Sequence, residues 1–277
     1  MEASETKREW LDTLLEDSSE TAIIRDTELP RRISVEGVTF NACMPTKPYY
    51  RSLAYRLHDR LQSLDPITLY PASLLGFKDT TVWEGCQKEI LALHHALREV
   101  SVPKKNQAPS GWFNLFESHE DPSVIAKRSA VRQFIQNAGV SGVAEILGLR
   151  HSPGTIEGAL PPDVATLTQS FNTGTKPGSK LTVGARALSK HCERGADRFW
   201  GEMKGNDSRK NERAHLIMLR ILQNAVWINI HQIVHKESLL EVRMVEGYGL
   251  RWNADGTKFR GLLEPQDPQG HDKRWRH

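Results

Sequence analysis

From Trp227 to Leu263 the chain alternates apolar and polar residues with a period of two, and no other feature limits its fold as strongly. In WINIHQIVH (227–235), Ile228, Ile230 and Val234 fall on one side of a strand. Trp227, Asn229, His231, Ile233 and His235 fall on the other. LLEVRMV (239–245) repeats the pattern, with Leu240, Val242 and Met244 set against Glu241, Arg243 and Val245. A tight turn at Lys236–Ser238 pairs Val234 with Leu240 and Ile230 with Met244, and sets His231 opposite Arg243. A slip of one residue would mix the two faces, so the pattern favours this register.

A second hairpin is predicted from GYGLRW (247–252) and TKFRGLL (257–263), joined by Asn-Ala-Asp-Gly. Pairing Trp252 with Thr257 puts Tyr248, Leu250, Trp252 and Phe259 on one face and Arg251, Lys258 and Arg260 on the other. Four successive strands then form an antiparallel meander. Its apolar face needs a partner, and DSRKNERAHLIMLRILQNA (207–225) supplies one. Asp207 or Ser208 caps that helix, and Ala214, Ile217, Met218, Ile221, Leu222 and Ala225 line one side of it.

His231 and His235 are four residues apart, the spacing of a zinc-binding helix, but the helical motif needs a glutamate after the first histidine and Gln232 stands there. On a strand the two are separated by roughly 13 Å of backbone. A zinc ion bonded at about 2 Å is out of reach of both. No metal and no cofactor are implied.

The fold class expected is α+β, with a helical N-terminal part and a C-terminal antiparallel meander packed on helices. Residues 1–22 read as a flexible acidic N-terminus and 23–148 as a mainly helical region. Leu53, Leu57 and Leu61 have helical spacing, as do Cys86, Ile90, Leu93 and Leu97. RRISVEGVTFNA (31–42) suits a short strand. Asp121 and Pro122 open a further helix that Gly139 stops, with VAEILGL continuing as another turn or two. Residues 149–180, rich in Pro, Gly, Ser and Thr, read as a loop or linker. An α+β domain spans 181–265, beginning with a helix at 181–195, and 266–277 is a basic tail.

Composition narrows the class of partner. Among 277 residues there is no apolar run long enough to cross a bilayer, and no secretory or transit signal at the N-terminus. Three widely spaced cysteines give no disulfide framework, which points to a cytoplasmic or nuclear protein. The net charge of +3 is unevenly distributed: residues 180–277 carry 18 Lys and Arg against 12 Asp and Glu. A basic C-terminal third fits nucleic acid or a phosphorylated small molecule as partner. Oligomeric state is not readable.

The anion-binding candidates are Lys190, Lys210, Arg243, Arg251, Lys258 and Arg260. Arginine offers phosphate a bidentate fork, and Lys210 stands in a loop running into a helix N-terminus. Gly184, at the start of GARALSKHCER, is a further anion-binding candidate through the N–H groups around it. Trp200 and Tyr248 are candidates for stacking on a base. GTKPGSK (174–180) lacks the spacing of a phosphate-binding loop, there is no Gly-x-Ser-x-Gly elbow, and Cys192 neighbours His191 only in sequence. The expected function is binding of RNA or a nucleotide phosphate by a basic sheet face. An enzyme acting on a phosphorylated or carboxylated substrate is the alternative, with His231 or His191 as general acid/base and Glu241 as its partner. A module for an acidic protein partner is the third.

Overall fold

The computed structural model describes residues 33–35, 38–40, 44–45, 49, 52–53, 88–93, 95, 122–194, 198–232 and 237–266. The acidic N-terminus, most of the helix expected at 49–64, and residues 267–277 of the basic tail lie outside them. The chain divides into two compact units, one comprising residues 1–31, 45–71 and 81–149, the other 32–44, 72–80 and 150–277.

In the first unit α1 (Pro122–Ile146) opens on proline, whose missing N–H is not needed in a first helical turn. Gly139, at φ 64° and ψ −174°, separates two helical pieces where the sequence predicts a stop. Beyond it Val143, Ile146 and Leu147 are buried, as are Leu53, Ile90 and Leu93 of the two leucine-rich stretches. Leu57, Leu61, Cys86 and Leu97 lie outside the described residues.

The second unit carries the predicted meander. Strands β3 (Ala225–Gln232), β4 (Ser238–Met244), β5 (Gly249–Asn253) and β6 (Phe259–Leu263) form one antiparallel sheet in sequence order. A separate hairpin of β1 (Ile33–Val35) and β2 (Val38–Phe40) stands where one strand was expected. Ile228, Ile230, Leu240, Val242, Leu250 and Trp252 are fully buried on the apolar side. Against that sheet packs α4 (Asp207–Gln223), with Ala214, Met218, Ile221 and Leu222 buried as expected. Its cap is Asn206, whose side-chain oxygen accepts from Arg209 N at 3.1 Å, and not Asp207 or Ser208. Ala225 already belongs to β3.

Both hairpin registers differ from expectation. Ile230 pairs with Leu240, not Met244, and His231 faces Leu239, not Arg243. The offset is even, so every side chain keeps its face: alternation specifies parity, and the length of the connection specifies the rest. In the second hairpin Trp252 pairs with Phe259, not Thr257. Thr257 and Lys258 belong to the turn, because Asp255 Oδ1 accepts from Thr257 N at 2.8 Å and Asn253 Oδ1 from Lys258 N at 2.7 Å.

The segment predicted as loop holds a helix and an extra sheet edge. In α2 (Val164–Phe171), Val164, Leu167 and Phe171 are buried, but two turns between Pro162 and Gly174 are too short for a helical period to stand out. Residues 150–156 run along β3, with Arg150 N bonded to Ile228 O at 2.7 Å and Ile156 N to Ile230 O at 2.8 Å. They cover what would be an open strand edge. Asn229, fully buried, ties this segment down by donating to Ser152 Oγ at 2.7 Å and accepting from Thr155 Oγ1 at 2.9 Å.

Helix α3 (Val183–Arg194) begins under Thr182, whose hydroxyl accepts from Ala185 N at 3.2 Å. Its glycine has a packing role. A Cβ at Gly184 would overlap the ring of Phe171, which is itself buried and meets Phe259 edge-on at 4.7 Å. Gly184→Ala should therefore lower stability by about 1–3 kcal/mol in urea unfolding, because overpacking outweighs the gain in helix propensity. A variant more stable than the parent would refute this account of the position.

Candidate acid–base and anion-binding site

The polar face of the sheet is organised around one carboxylate. Glu241 is 2% exposed. Alternation puts Arg243 on its own face two residues on, and Arg251 is its direct cross-strand partner. Arg243 Nε donates to Oε1 at 2.6 Å; Arg251 Nε and Nη2 donate to Oε2 at 3.2 and 2.9 Å. His231 Nε2 lies 3.4 Å from Oε2, long for a hydrogen bond but close enough for an ion pair. Burial pushes the carboxyl pKa up; His231 and the charges of Arg243 and Arg251 outweigh it and hold the group at about 2. The glutamate is therefore an anion across the usable pH range, poorly suited to exchanging protons near neutrality.

Arg243 reaches further. Its Nη1 donates to Gly247 O at 2.6 Å and to Glu264 O at 2.9 Å, fastening the chain beyond β6 to the β4–β5 turn. The side chain of Glu264 then receives two donors on one oxygen: Trp200 Nε1 at 2.7 Å and His191 Nδ1 at 2.8 Å. An indole N–H can only donate, so Oε1 is an acceptor, and the imidazole atom facing it must carry its proton on Nδ1. Neutral His191 is thereby left with its lone pair on Nε2, the state a general base requires. Its side chain is 29% exposed at the end of α3.

The other predicted residues separate. Lys190, next to His191, is exposed, as is Lys258 in the β5–β6 turn. Arg260 is paired with Glu237 at 2.6 Å. Lys210 sits in the first turn of α4, half-buried, its N–H bonded to Asn206 O. Trp200 and Tyr248 are buried and stack inside the protein: Phe199 lies flat on Tyr248 with centroids 3.6 Å apart, and Trp200 meets Tyr248 edge-on at 5.3 Å. Neither presents an open face for a base. Cys192 donates to Trp200 O at 3.5 Å, and burial pushes its thiol pKa up, away from a reactive thiolate.

Sequence reasoning missed Glu264, the residue that orients His191, because it follows the last strand and no periodicity marks it. Phe199, stacked on Tyr248 with the Arg220 guanidinium 5.6 Å from its centroid, was missed too. Among the described residues no group of three or more His, Cys, Asp or Glu is placed to hold a metal ion, and no helix is long and apolar enough to cross a membrane.

Residues 171–264 match the family model of the CdiA C-terminal tRNase toxin domain. The match begins at Phe171, beneath Gly184, and ends at Glu264, so it covers α3, α4, strands β3 to β6 and both histidine–glutamate pairs, but not the edge segment 150–156. It links this stretch to a family with RNA-related activity. No match to the chain was found among curated proteins or among solved structures.

The Glu241 network makes stability depend on pH in a defined direction. The folded pKa of about 2 lies below the ordinary value of 4.5, so the contribution is complete above about pH 4.5 and disappears as pH falls toward 2. Glu241→Gln should lose at least about 3 kcal/mol near pH 7, since two arginines are left without their counterion. The gap between parent and variant should close between pH 4.5 and 2 in denaturant titrations. A gap independent of pH would show that the charge on Glu241 is not what matters.

Proposed function

We propose that residues 171–264 cleave RNA, with tRNA as the substrate class indicated by the family they resemble, and that His191 is the general base. The observation that carries this reading is the 2.8 Å contact from His191 Nδ1 to a glutamate oxygen also held by Trp200, which leaves Nε2 able to take a proton. The reaction is an internal transesterification. His191 Nε2 removes the proton of a ribose 2′-hydroxyl as the 2′-oxygen bonds to the adjacent phosphorus. The bond from phosphorus to the 5′-oxygen of the next nucleotide breaks, and that oxygen takes up a proton from solvent. The products are a 2′,3′-cyclic phosphate and a 5′-hydroxyl.

The chain's own groups support each requirement. Glu264 steadies the imidazolium that forms when His191 is protonated, as a carboxylate behind a catalytic histidine does elsewhere. Lys190 is an exposed cation beside the histidine, and the Arg186 side chain one helical turn earlier is exposed as well. Both are available to the phosphate backbone, whose attraction to such groups weakens as salt rises. His231 is the weaker candidate for the same proton transfer: its Nε2 faces Glu241 and is enclosed.

His191→Ala should reduce RNA cleavage by about 10²–10⁴-fold while leaving affinity for RNA largely intact. A DNA strand of the same sequence, which has no 2′-hydroxyl, should not be cut. Mapping product ends by phosphatase and kinase sensitivity gives an independent check. Cleavage that survives in His191→Ala, or cuts DNA equally well, overturns the assignment.

A further inference from the structure

Of the cations on the polar sheet face, Arg251 differs from its neighbours. Arg243 is enclosed, 3% exposed, with bonds to Glu241, Gly247 and Glu264. Arg260 has its own partner in Glu237. Arg251 is one-third exposed, and Nε and Nη2 both bond the same Glu241 oxygen, so its plane is fixed by a buried group. Among the described residues nothing bonds its Nη1.

Charge counting gives the same result. Among the described residues, the contacts around Glu241 set one carboxylate against two guanidinium groups, those of Arg243 and Arg251. His231 is 16% exposed and lies against the same carboxylate oxygen as Arg251. These are the two members of the network that reach solvent, so the positive charge accessible to a ligand lies at its outer edge. A guanidinium held in one orientation loses little conformational entropy on binding and presents a planar fork to phosphate oxygens.

Resting on the RNA-cleaving reading above, we infer that Arg251, with His231 beside it, forms a subsite for a backbone phosphate flanking the one that is cleaved. The site is separate from His191. Arg251 pairs with Gly261 in β6, and Glu264 lies three residues on, roughly 10 Å along the strand. Arg251 is thus anchored to Glu241 while His191 is anchored to Glu264, an arrangement that gives the two side chains separate contacts. It suits a neighbouring phosphate of the same strand, so the subsite adds grip and register, not proton transfer.

The test measures tRNA binding in the His191→Ala chain, where no cleavage intervenes, as a function of salt. Adding Arg251→Gln should weaken binding by about tenfold or more and reduce the salt slope by about one phosphate contact. Arg251→Lys keeps the charge and a partner for Glu241, and should recover the slope while regaining only part of the affinity. If Arg251→Gln is folded, by its thermal transition, and binds with unchanged affinity and slope, the subsite is refuted. If it does not fold, Arg251→Lys decides, because affinity equal to the parent's refutes the oriented fork. Cleavage by the wild-type chain with no binding defect in Arg251 variants would sink the subsite alone. Arg251-dependent binding without cleavage would sink the nuclease reading alone.

Discussion

A carboxylate with almost no access to water, held between two guanidinium groups from adjacent strands, is the constraint on which the rest of this unit depends. A charge taken out of water is strongly unfavourable unless it is matched and hydrogen-bonded. Glu241 meets that condition with both oxygens, through Arg243 on its own strand and Arg251 across the ladder. Removing Glu241 leaves two guanidinium groups without their counterion, and removing either arginine leaves a buried carboxylate oxygen short of its donors, so the trio behaves as a unit. The consequence extends beyond stability. Arg243, anchored at one end by Glu241, uses its other end to hold the carbonyl of Glu264 and that of Gly247. That places the Glu264 side chain where Trp200 and His191 converge on it. The imidazole is thus oriented by a chain of contacts that starts inside the sheet.

The aromatic residues serve the same frame. Phe199, Trp200 and Tyr248 pack on one another through one flat and two edge-on contacts, and that packing aims the indole N–H at Glu264. An aromatic side chain with a polar tip suits this use, because it fills volume and still delivers one directed hydrogen bond. Their burial means that any contact with a nucleotide base must come from elsewhere on the surface. Recognition through backbone phosphates agrees with the exposed cations around His191 better than recognition by stacking.

Much of this architecture was legible because it rests on local periodicity. The period-two runs at 227–232 and 239–244 identify the sheet and both its faces, and the stripe on α4 identifies what covers the apolar one. The limits are equally physical. Alternation cannot tell Leu240 from Met244 as the partner of Ile230, since both lie on the same face; only the connection decides. Gly184 reads in the sequence as an anion-binding glycine, whereas in the structure Phe171 fills the space a side chain there would need, a contact between segments that no local pattern contains. Of the candidate site, the glutamate–arginine–histidine group was visible as a set of side chains sharing a face. Its inward balance, with Arg243 enclosed and Glu241 satisfied, was not. Glu264 was invisible for a related reason: its importance comes from what reaches it, two donors from α3 and the turn at Trp200.

A cluster of arginines on a sheet does not by itself make a surface that attracts anions; what counts is how much of the charge is already matched, and where the remainder resides. Here the innermost arginine is neutralised by Glu241 and one peripheral arginine by Glu237, so neither adds much to the field outside. Accessible positive charge remains at Arg251 and, on the other side of the Arg243 bridge, at the lysine beside His191, as well as at Arg186 and Lys258. Among the described residues, a rigidly held Arg251 and an exposed Lys190 beside His191 are separate positions of positive charge, an arrangement that suits an extended polyanion better than a single phosphate group. A free phosphate could occupy only one of them, whereas under the proposed reading a nucleic-acid strand would engage both. Under that proposal the buried glutamate would add to binding by fixing the orientation of Arg251, although it is itself negative. Its repulsion of a phosphate is reduced by the two guanidinium groups that enclose it, while the alignment it imposes is retained.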